Sequence, residues 1–386
     1  MRFFKPLLIL IFIIILLPVR GWAEPSVSAS SAILIEKDSG RVIFEKNSKK
    51  QMPMASTTKI MTAICAIENC DNIDKEIEIP PSAAGVEGSS MYLQAGEKMT
   101  IRELLYGLML SSGNDAAVAI GESIGGSIEA FVELMNKKAV EIGANNTHFA
   151  NPNGLPNEEH YSTAEDMAKI TAYGMSGSAF ADIVSTKSYK IQGEGKAYPR
   201  VLSNHNKLLS LYEGCIGVKT GFTKAAGRCL VSGAERNGMT LICVTLNAPD
   251  DWNDHKKMFD YGFEKYKMRT LCSHEEPLCA TEVQGSKAEA IPVYLLKDVC
   301  YPMCEGEEYK KEVQLYPSLS APLKAGEEVG EIVFEIKTKT GEIIKIKEKT
   351  VVKTEVDALS VVDKIKRNFG ENLKLFLAEW LGFFVS

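Results

Sequence analysis

The stretch ASTTKIMTA (residues 55–63) places Ser56 three residues ahead of Lys59, at the head of a segment whose apolar residues Ile60, Met61, Ile64 and Ile67 fall at helical spacing. That spacing predicts a helix over 56–68. Residues i and i+3 share a helix face, so the Lys59 amine reaches the Ser56 hydroxyl. A cation in the first turn opposes the helix dipole, which favours negative charge there. Two readings follow. Ser56 is an ordinary N-cap, or it is a nucleophile beside its base. The second requires a lysine with a lowered pKa, which burial and a neighbouring cation supply.

Two further elements bear on the choice. Ser112-Gly113-Asn114 interrupts two helical stretches within MTIRELLYGLMLSSGNDAAVAIGESIGG (99–126). Lys219-Thr220-Gly221 lies in CIGVKTGFT (215–223), a β-rich run followed by RCLVSGAERNGMTLICVTLNAP (228–249), where Asn-Gly marks a hairpin turn. His148, His160 and His205 lie in polar loops, with no triad or metal-pair spacing to join them to Ser56. A Ser-His-Asp hydrolase is disfavoured, and no metal or cofactor is called for.

Outward from these motifs, SAILIEKDSGRVIFEKN (31–47) reads as a hairpin around Asp-Ser-Gly. SIEAFVELMNKKAVEIGA (127–144) is an amphipathic helix closed by Gly143. NTHFANPNGLPNEEHYST (146–163) is a polar loop. Thr163, with Asp166 three residues on, caps the next helix, and DHKKMFDYGFEKY (254–266) returns to helix. Helices in the middle, flanked by strands from both ends, imply an α+β domain with helices packed on an antiparallel sheet. Composition shifts after residue 268. AIPVYLL, EVGEIVFEI and EIIKIKEKTVVK alternate apolar and charged residues between Pro and Gly breaks, which predicts a small β-sandwich over 269–355. Residues 356–386 form an amphipathic helix striped by Val362, Ile365, Phe369, Leu373, Phe376, Trp380 and Phe383. This stripe lies at a membrane interface or docks on the preceding domain.

The chain has 386 residues and a formal net charge of −6, with both signs mixed throughout. That length favours two domains, and the charge excludes the basic field of a nucleic-acid binder. MRFFK, PLLILIFIIILLP and VRGWA make residues 1–23 a signal peptide cleaved after Ala23, with an uncleaved anchor as the alternative. The remainder, 24–268 and beyond, leaves the cytoplasm. Nine cysteines in an exported chain leave at least one unpaired. Cys65, Cys229 and Cys243 sit in apolar runs as core residues. Cys272, Cys279, Cys300 and Cys304 favour disulfides over zinc, with free thiols the alternative in a cell living without oxygen.

The order SxxK, SxN, KTG is the signature of the penicillin-recognising serine acyltransferases. With MASTTKIMTA, SSGNDAA, FANPNGL, HYSTAEDMA, NHNKLL and GVKTGFTKAAGRCLV, the chain resembles the low-molecular-mass penicillin-binding proteins of the peptidase S11 family, serine-type D-alanyl-D-alanine carboxypeptidases. The resemblance covers residues 25–265 closely. It implies a β-lactamase/transpeptidase-like domain, with Ser56 as nucleophile, Lys59 as its base, Ser112 as proton relay and Asn114 orienting Lys59 and the substrate amide. Lys219 holds the site electropositive, Thr220 of the Thr220-Gly221 pair meets the substrate carboxylate, and the N–H groups of Ser56 and Phe222 form the oxyanion hole. Both lysines should reach one hydroxyl network. The partner implied is a peptidoglycan stem peptide ending in D-Ala-D-Ala, with β-lactams as inhibitors and no nucleic acid. A β-lactamase or endopeptidase on the same scaffold, with Glu158, Glu159 or Glu165 in the relevant loop, and a non-catalytic wall-binding protein are the alternatives. One departure concerns an arginine that some members carry after the KTG hairpin to hold the carboxylate. Here NAPDDWNDHKKMF (247–259) has none, and Arg200, His255 and Lys256 are the candidate replacements.

Overall fold

A hairpin and a three-stranded meander from opposite ends of the first 267 residues build one sheet. Strands β1 (Ser31–Glu36) and β2 (Val42–Lys46) pair around the Asp-Ser-Gly turn. Two short pairs follow along the chain, β3 (Glu76–Glu78) with β4 (Lys98–Thr100) and β5 (Ser188–Ile191) with β6 (Arg200–Ser203), and β7 (Cys215–Thr223), β8 (Gly227–Arg236) and β9 (Met239–Leu246) then complete an antiparallel sheet of order β2-β1-β9-β8-β7. The β8–β9 turn falls at Asn237-Gly238, both at positive φ, as a type I′ turn requires. The computed structural model describes residues 24–192 and 199–366, with 369, 370, 372, 373 and 377 of the terminal segment. The signal-peptide reading of 1–23, and Phe376, Trp380 and Phe383 of the terminal stripe, lie outside the described residues. The chain divides into two compact units between Lys267 and Met268.

β9 is buried at all eight positions, because both faces of the sheet are covered. Side chains alternate across a strand. Ile33, Ile35, Ile242 and Val244 join the helical core. Leu34 and Leu241 instead face Gly262 on the helix Asp251–Lys265. On the other side lie α1 (Lys59–Glu68), α2 (Ile101–Leu110), α3 (Asn114–Gly125), α4 (Ile128–Ile142) and α5 (Ala164–Met175). Their ends are set locally. Thr100 and Glu103 form a capping box on α2, Gly143 closes α4 at positive φ, and the Thr163 hydroxyl accepts the Asp166 N–H at the head of α5.

The helix expected over 56–68 is divided. Ala55–Thr58 form a 3-10 turn and the α-helix starts at Lys59. The hydroxyls of Thr57 and Thr58 donate to the carbonyls of Met54 and Ala55 at 2.7 and 2.8 Å. These i to i−3 bonds tighten the turn.

The second unit is β-rich. Five strands, β11 (Cys279–Thr281), β12 (Ile291–Leu295), β14 (Glu308–Leu315), β15 (Glu328–Lys337) and β16 (Ile343–Val352), form a sheet of order β11-β12-β16-β15-β14. β10 (Tyr266–Cys272) pairs with β13 (Val299–Cys304). Leu271, Tyr301 and Met303 of the small sheet share a core with Ile332, Phe334 and Ile336 of the large one. The disulfides expected here are absent, and all nine cysteines are free thiols. Cys300 and Cys304 lie four apart on one strand, about 13 Å at 3.3 Å per residue, beyond disulfide reach. In the terminal segment Val362, Ile365, Phe369 and Leu373 are exposed, so these residues are not docked on the preceding domain. No helix among the described residues is long and apolar enough to cross a membrane.

Asp254 ties the N-terminal segment to the helix Asp251–Lys265. Its buried carboxylate accepts the N–H groups of Ser28 and Ala29 and the Ser28 hydroxyl, at 2.7 to 3.0 Å. Asp254→Ala strands these donors in a buried place. It is expected to cost roughly 3 kcal/mol, about 10 °C in Tm for a unit of this size. A thermal melt of the variant within 2 °C of the parent would refute the tether.

Candidate active site

The turn carrying Ser56 is held between two glycines. A Cβ at Gly154, where φ is +87°, would lie 2.1 Å from the Ala55 carbonyl oxygen. A Cβ at Gly221 would lie 3.0 Å from the Ser56 nitrogen and 3.1 Å from that of Thr57. Both neighbours are backbone, so neither can yield by a rotamer change. The third residue of the KTG motif is therefore glycine because β7 passes against the Ser56 amide.

Lys59 is fully buried at the base of the site. Its Nζ lies 3.1 Å from Ser56 Oγ, 2.7 Å from Asn114 Oδ1 and 2.5 Å from the Asn153 carbonyl oxygen. The Asn114 amide is oriented by its other end, where Nδ2 donates to the Glu87 carbonyl at 2.5 Å. A neutral amine has two N–H groups and one lone pair. Asn114 Oδ1 and the Asn153 carbonyl can only accept, so they take both N–H groups. The lone pair then faces the Ser56 hydroxyl. Burial, then the neighbouring Lys219 ammonium, hold the Lys59 pKa well below the usual lysine range, against a smaller opposing pull from Asp115.

Lys219 is also buried, and burial brings its pKa down to about 7. Its Nζ donates to the Thr220 carbonyl at 2.8 Å. Of the two lysines expected to share one hydroxyl network, Lys59 bonds to Ser56, and Lys219 acts on it through charge. Protonated, both disfavour the fold. For Lys219 that penalty is complete below about pH 7 and shrinks as pH rises toward the value of a free lysine.

Ser112 is nearly buried at positive φ, in the break between α2 and α3. Asn114 opens α3, with its N–H bonded to the Ser89 carbonyl at 2.7 Å. Asp115 beside it accepts from the Ser90 hydroxyl and the Met91 and Leu93 N–H groups, fastening a strap of residues 87–93 over α3. Ser56, Ser89, Ser112, Thr220, Gly221 and Phe222 line one cavity of about 360 Å³. Of the eight residues singled out in the sequence, five thus line this cavity, Lys59 and Asn114 join it through hydrogen bonds, and Lys219 acts on Lys59 through charge.

Several contributors were not singled out. Asn153, inside a loop read only as polar, supplies the carbonyl on Lys59, and Thr62 holds that loop through the Pro152 carbonyl at 2.6 Å. Its Asn-Pro-Asn-Gly turn was the available signal. His160 is buried, not solvated. Its Nδ1 accepts the Ala150 N–H at 3.0 Å, so Nε2–H faces Thr58 Oγ1 at 2.7 Å. Burial, His148 and Lys59 lower its pKa to about 4. It is a neutral brace beneath the turn. The three proposed carboxylate cations are placed elsewhere. Arg200 bonds to Glu97 and to the Tyr92 carbonyl. His255 is in the core against Thr245, its pKa lowered to about 3 by burial. Lys256 does not line the cavity. The loop glutamates do not serve Ser56 either: Glu165 pairs with Lys169 at 2.8 Å, and Glu158 and Glu159 are exposed. The cations that do line the cavity are Lys207 and Arg228, with His205 beside them.

A family model described as D-alanyl-D-alanine carboxypeptidase matches residues 19–250, and one described as penicillin-binding protein 5, C-terminal domain, matches 266–358. The chain is 34% identical to the D-alanyl-D-alanine carboxypeptidase DacF of Bacillus subtilis, over 90% of this chain and 91% of that protein. It is 31% identical to DacC of Escherichia coli, over 82% of each. Among solved structures, penicillin binding protein 5 of Haemophilus influenzae superposes with a TM-score of 0.73 at 27% identity, covering 87% of this chain and all of that one. The Streptomyces K15 DD-transpeptidase gives 0.60 at 35% identity, over 63% of this chain and 99% of that one.

Removing the charge of Lys219 removes a cause that lowers Lys59. In Lys219→Gln the Lys59 pKa is expected to rise toward the ordinary lysine value, followed by NMR titration of 13Cε-labelled lysines. A Lys59 midpoint that stays put or falls would contradict the electrostatic coupling.

Proposed function

The chain belongs to the peptidase S11 family of D-alanyl-D-alanine carboxypeptidases, and we propose that its Ser56 removes the terminal D-alanine of peptidoglycan pentapeptides through an acyl-enzyme. The observation that supports this most directly is the buried Lys59 amine, held by two pure acceptors and 3.1 Å from Ser56 Oγ, so that in its neutral form it turns its lone pair to that hydroxyl.

In the proposed sequence, Lys59 takes the Ser56 proton as the oxygen attacks the penultimate D-Ala carbonyl. The oxyanion is held by the backbone N–H groups of Ser56 and Phe222; each such donor contributes about 3 kcal/mol to the transition state. Ser112 passes a proton to the leaving amine. Asn114 fixes Lys59 and accepts or donates to the substrate amide. The substrate's terminal carboxylate lies at Thr220, with Lys219 keeping that end electropositive. Water then attacks the acyl-enzyme, with Lys59 again as base, and returns Ser56. β7 is the outer strand of its sheet, so an extended peptide can run along its free edge. A β-lactam presents the same carbonyl and carboxylate and acylates the same oxygen.

The setting is proposed from the ends of the chain. Residues 1–23 act as an export signal, and the exposed apolar side chains of Val362, Ile365, Phe369 and Leu373 rest on the outer membrane surface of the exporting cell, holding the enzyme beside the wall.

Two measurements test this reading. Mature protein should release D-alanine from a pentapeptide, and Ser56→Ala should reduce both release and fluorescent-penicillin labelling by at least about 1,000-fold; a labelled Ser56→Ala protein would reassign the nucleophile. A chain ending at residue 356 should lose flotation with lipid vesicles and keep its D-alanine release. Equal flotation of the two forms would remove the membrane role.

A further inference from the structure

The substrate placed above ends in a carboxylate at Thr220, and the cations suggested by the sequence after the KTG hairpin point elsewhere. The register of β7 and β8 supplies another. Thr220 pairs with Leu230 and Phe222 with Arg228. Paired residues share a face, as do i and i+2 along a strand. Thr220 and Arg228 therefore stand on one face as diagonal neighbours, about 7 Å apart at their Cβ atoms, within the reach of an arginine. Lys219 and Gly221 stand on the opposite face, toward the nucleophile turn. Arg228 lines the same cavity as Ser56 and Thr220.

The guanidinium is already positioned. Its Nη2 donates to Asp251 Oδ1 at 2.7 Å, and it stands over the Trp252 ring at 5.7 Å. Asp251 is 4% exposed, whereas the Arg228 side chain is 42% exposed. Asp251 lies in the first turn of its helix and its Oδ1 also accepts the Trp252 N–H at 2.9 Å. Its charge is thus partly neutralised from behind, while the Arg228 side chain lines the cavity. Among the described residues Asp251 is the hydrogen-bond partner of Arg228; Nε is buried without one, and the remaining Nη N–H groups are left for an anion.

We propose that Arg228 binds the C-terminal carboxylate of the substrate together with Thr220, and so sets the preference for a free carboxyl end. The assignment rests on the acyl-enzyme reading above and on the carboxylate lying at Thr220. Lys207, the other cation lining the cavity, is exposed and has no positioning partner among the described residues.

The test compares acylation of the mature enzyme by benzylpenicillin and by its methyl ester. The unmutated enzyme should react faster with the acid. Arg228→Gln should lower the acylation rate constant for the acid by about 10- to 100-fold and leave that for the ester within twofold. Arg228→Lys, which keeps the charge without the planar fork, should fall between. If Arg228→Gln folds poorly, Asp251→Asn serves: it releases the guanidinium from its hold and should also lower the acid rate alone. An equal loss on acid and ester would mark Arg228 as structural and overturn the proposal. So would an acid-selective loss in Lys207→Gln with none in Arg228→Gln. An unmutated enzyme that neither probe acylates would overturn the acyl-enzyme reading itself, and this assignment with it.

Discussion

The structure depends on keeping one amine out of water. Lys59 is buried in a core made of helices, at the start of the central helix, and a buried ammonium without compensation is among the costliest groups a protein can hold. The surroundings decide which protonation state is tolerated. Two obligate acceptors suit a neutral amine as well as a charged one, and Lys219 sides against the charged one. The helical core, the strap of residues 87–93 that holds Asn114 and Asp115, and the loop that presents Asn153 each fix one side of that environment. Each of them adds to the burial that is the largest cause lowering the Lys59 pKa.

The sheet contributes differently. β7 brings Lys219 to the same buried face as the nucleophile turn, and Thr220 and Phe222 to the other. One strand thereby separates two electrostatic tasks. Charge on the inner face depresses Lys59, and the outer face carries the groups proposed to meet an anion. The alternation of a pleated strand is enough to do this, which is why three consecutive residues of fixed type carry so much of the chemistry.

Much of this was legible in the sequence. The helices, their caps at Thr163 and Gly143, the Asn-Gly hairpin and the three motifs are local features, and local features are written in consecutive residues. The 3-10 turn at Ala55–Thr58 was not, because two threonine hydroxyls choose i−3 carbonyls only once the chain is packed. Asn153 escaped because it acts through its carbonyl, a group that every residue has. His160 escaped because its loop is polar in composition and gives no sign of a buried imidazole, yet that residue is buried beneath the turn. The cysteine expectation came from the export signal and the clustering of four cysteines, whereas strand geometry keeps Cys300 and Cys304 apart. Arg228 was hidden among ordinary strand residues until pairing put it beside Thr220.

The two glycines that grip the nucleophile turn bear on how such a site can evolve under drug pressure. Gly154 and Gly221 leave peptide backbone, with no side chains, as the nearest walls on both sides of Ala55–Thr57. A mutation can exchange a side chain but cannot delete a main chain. Resistance gained by narrowing the entrance would have to act from further out, at residues such as Phe222 on the rim. The immediate surroundings of Ser56 admit natural peptide and antibiotic mimic through the same fixed frame.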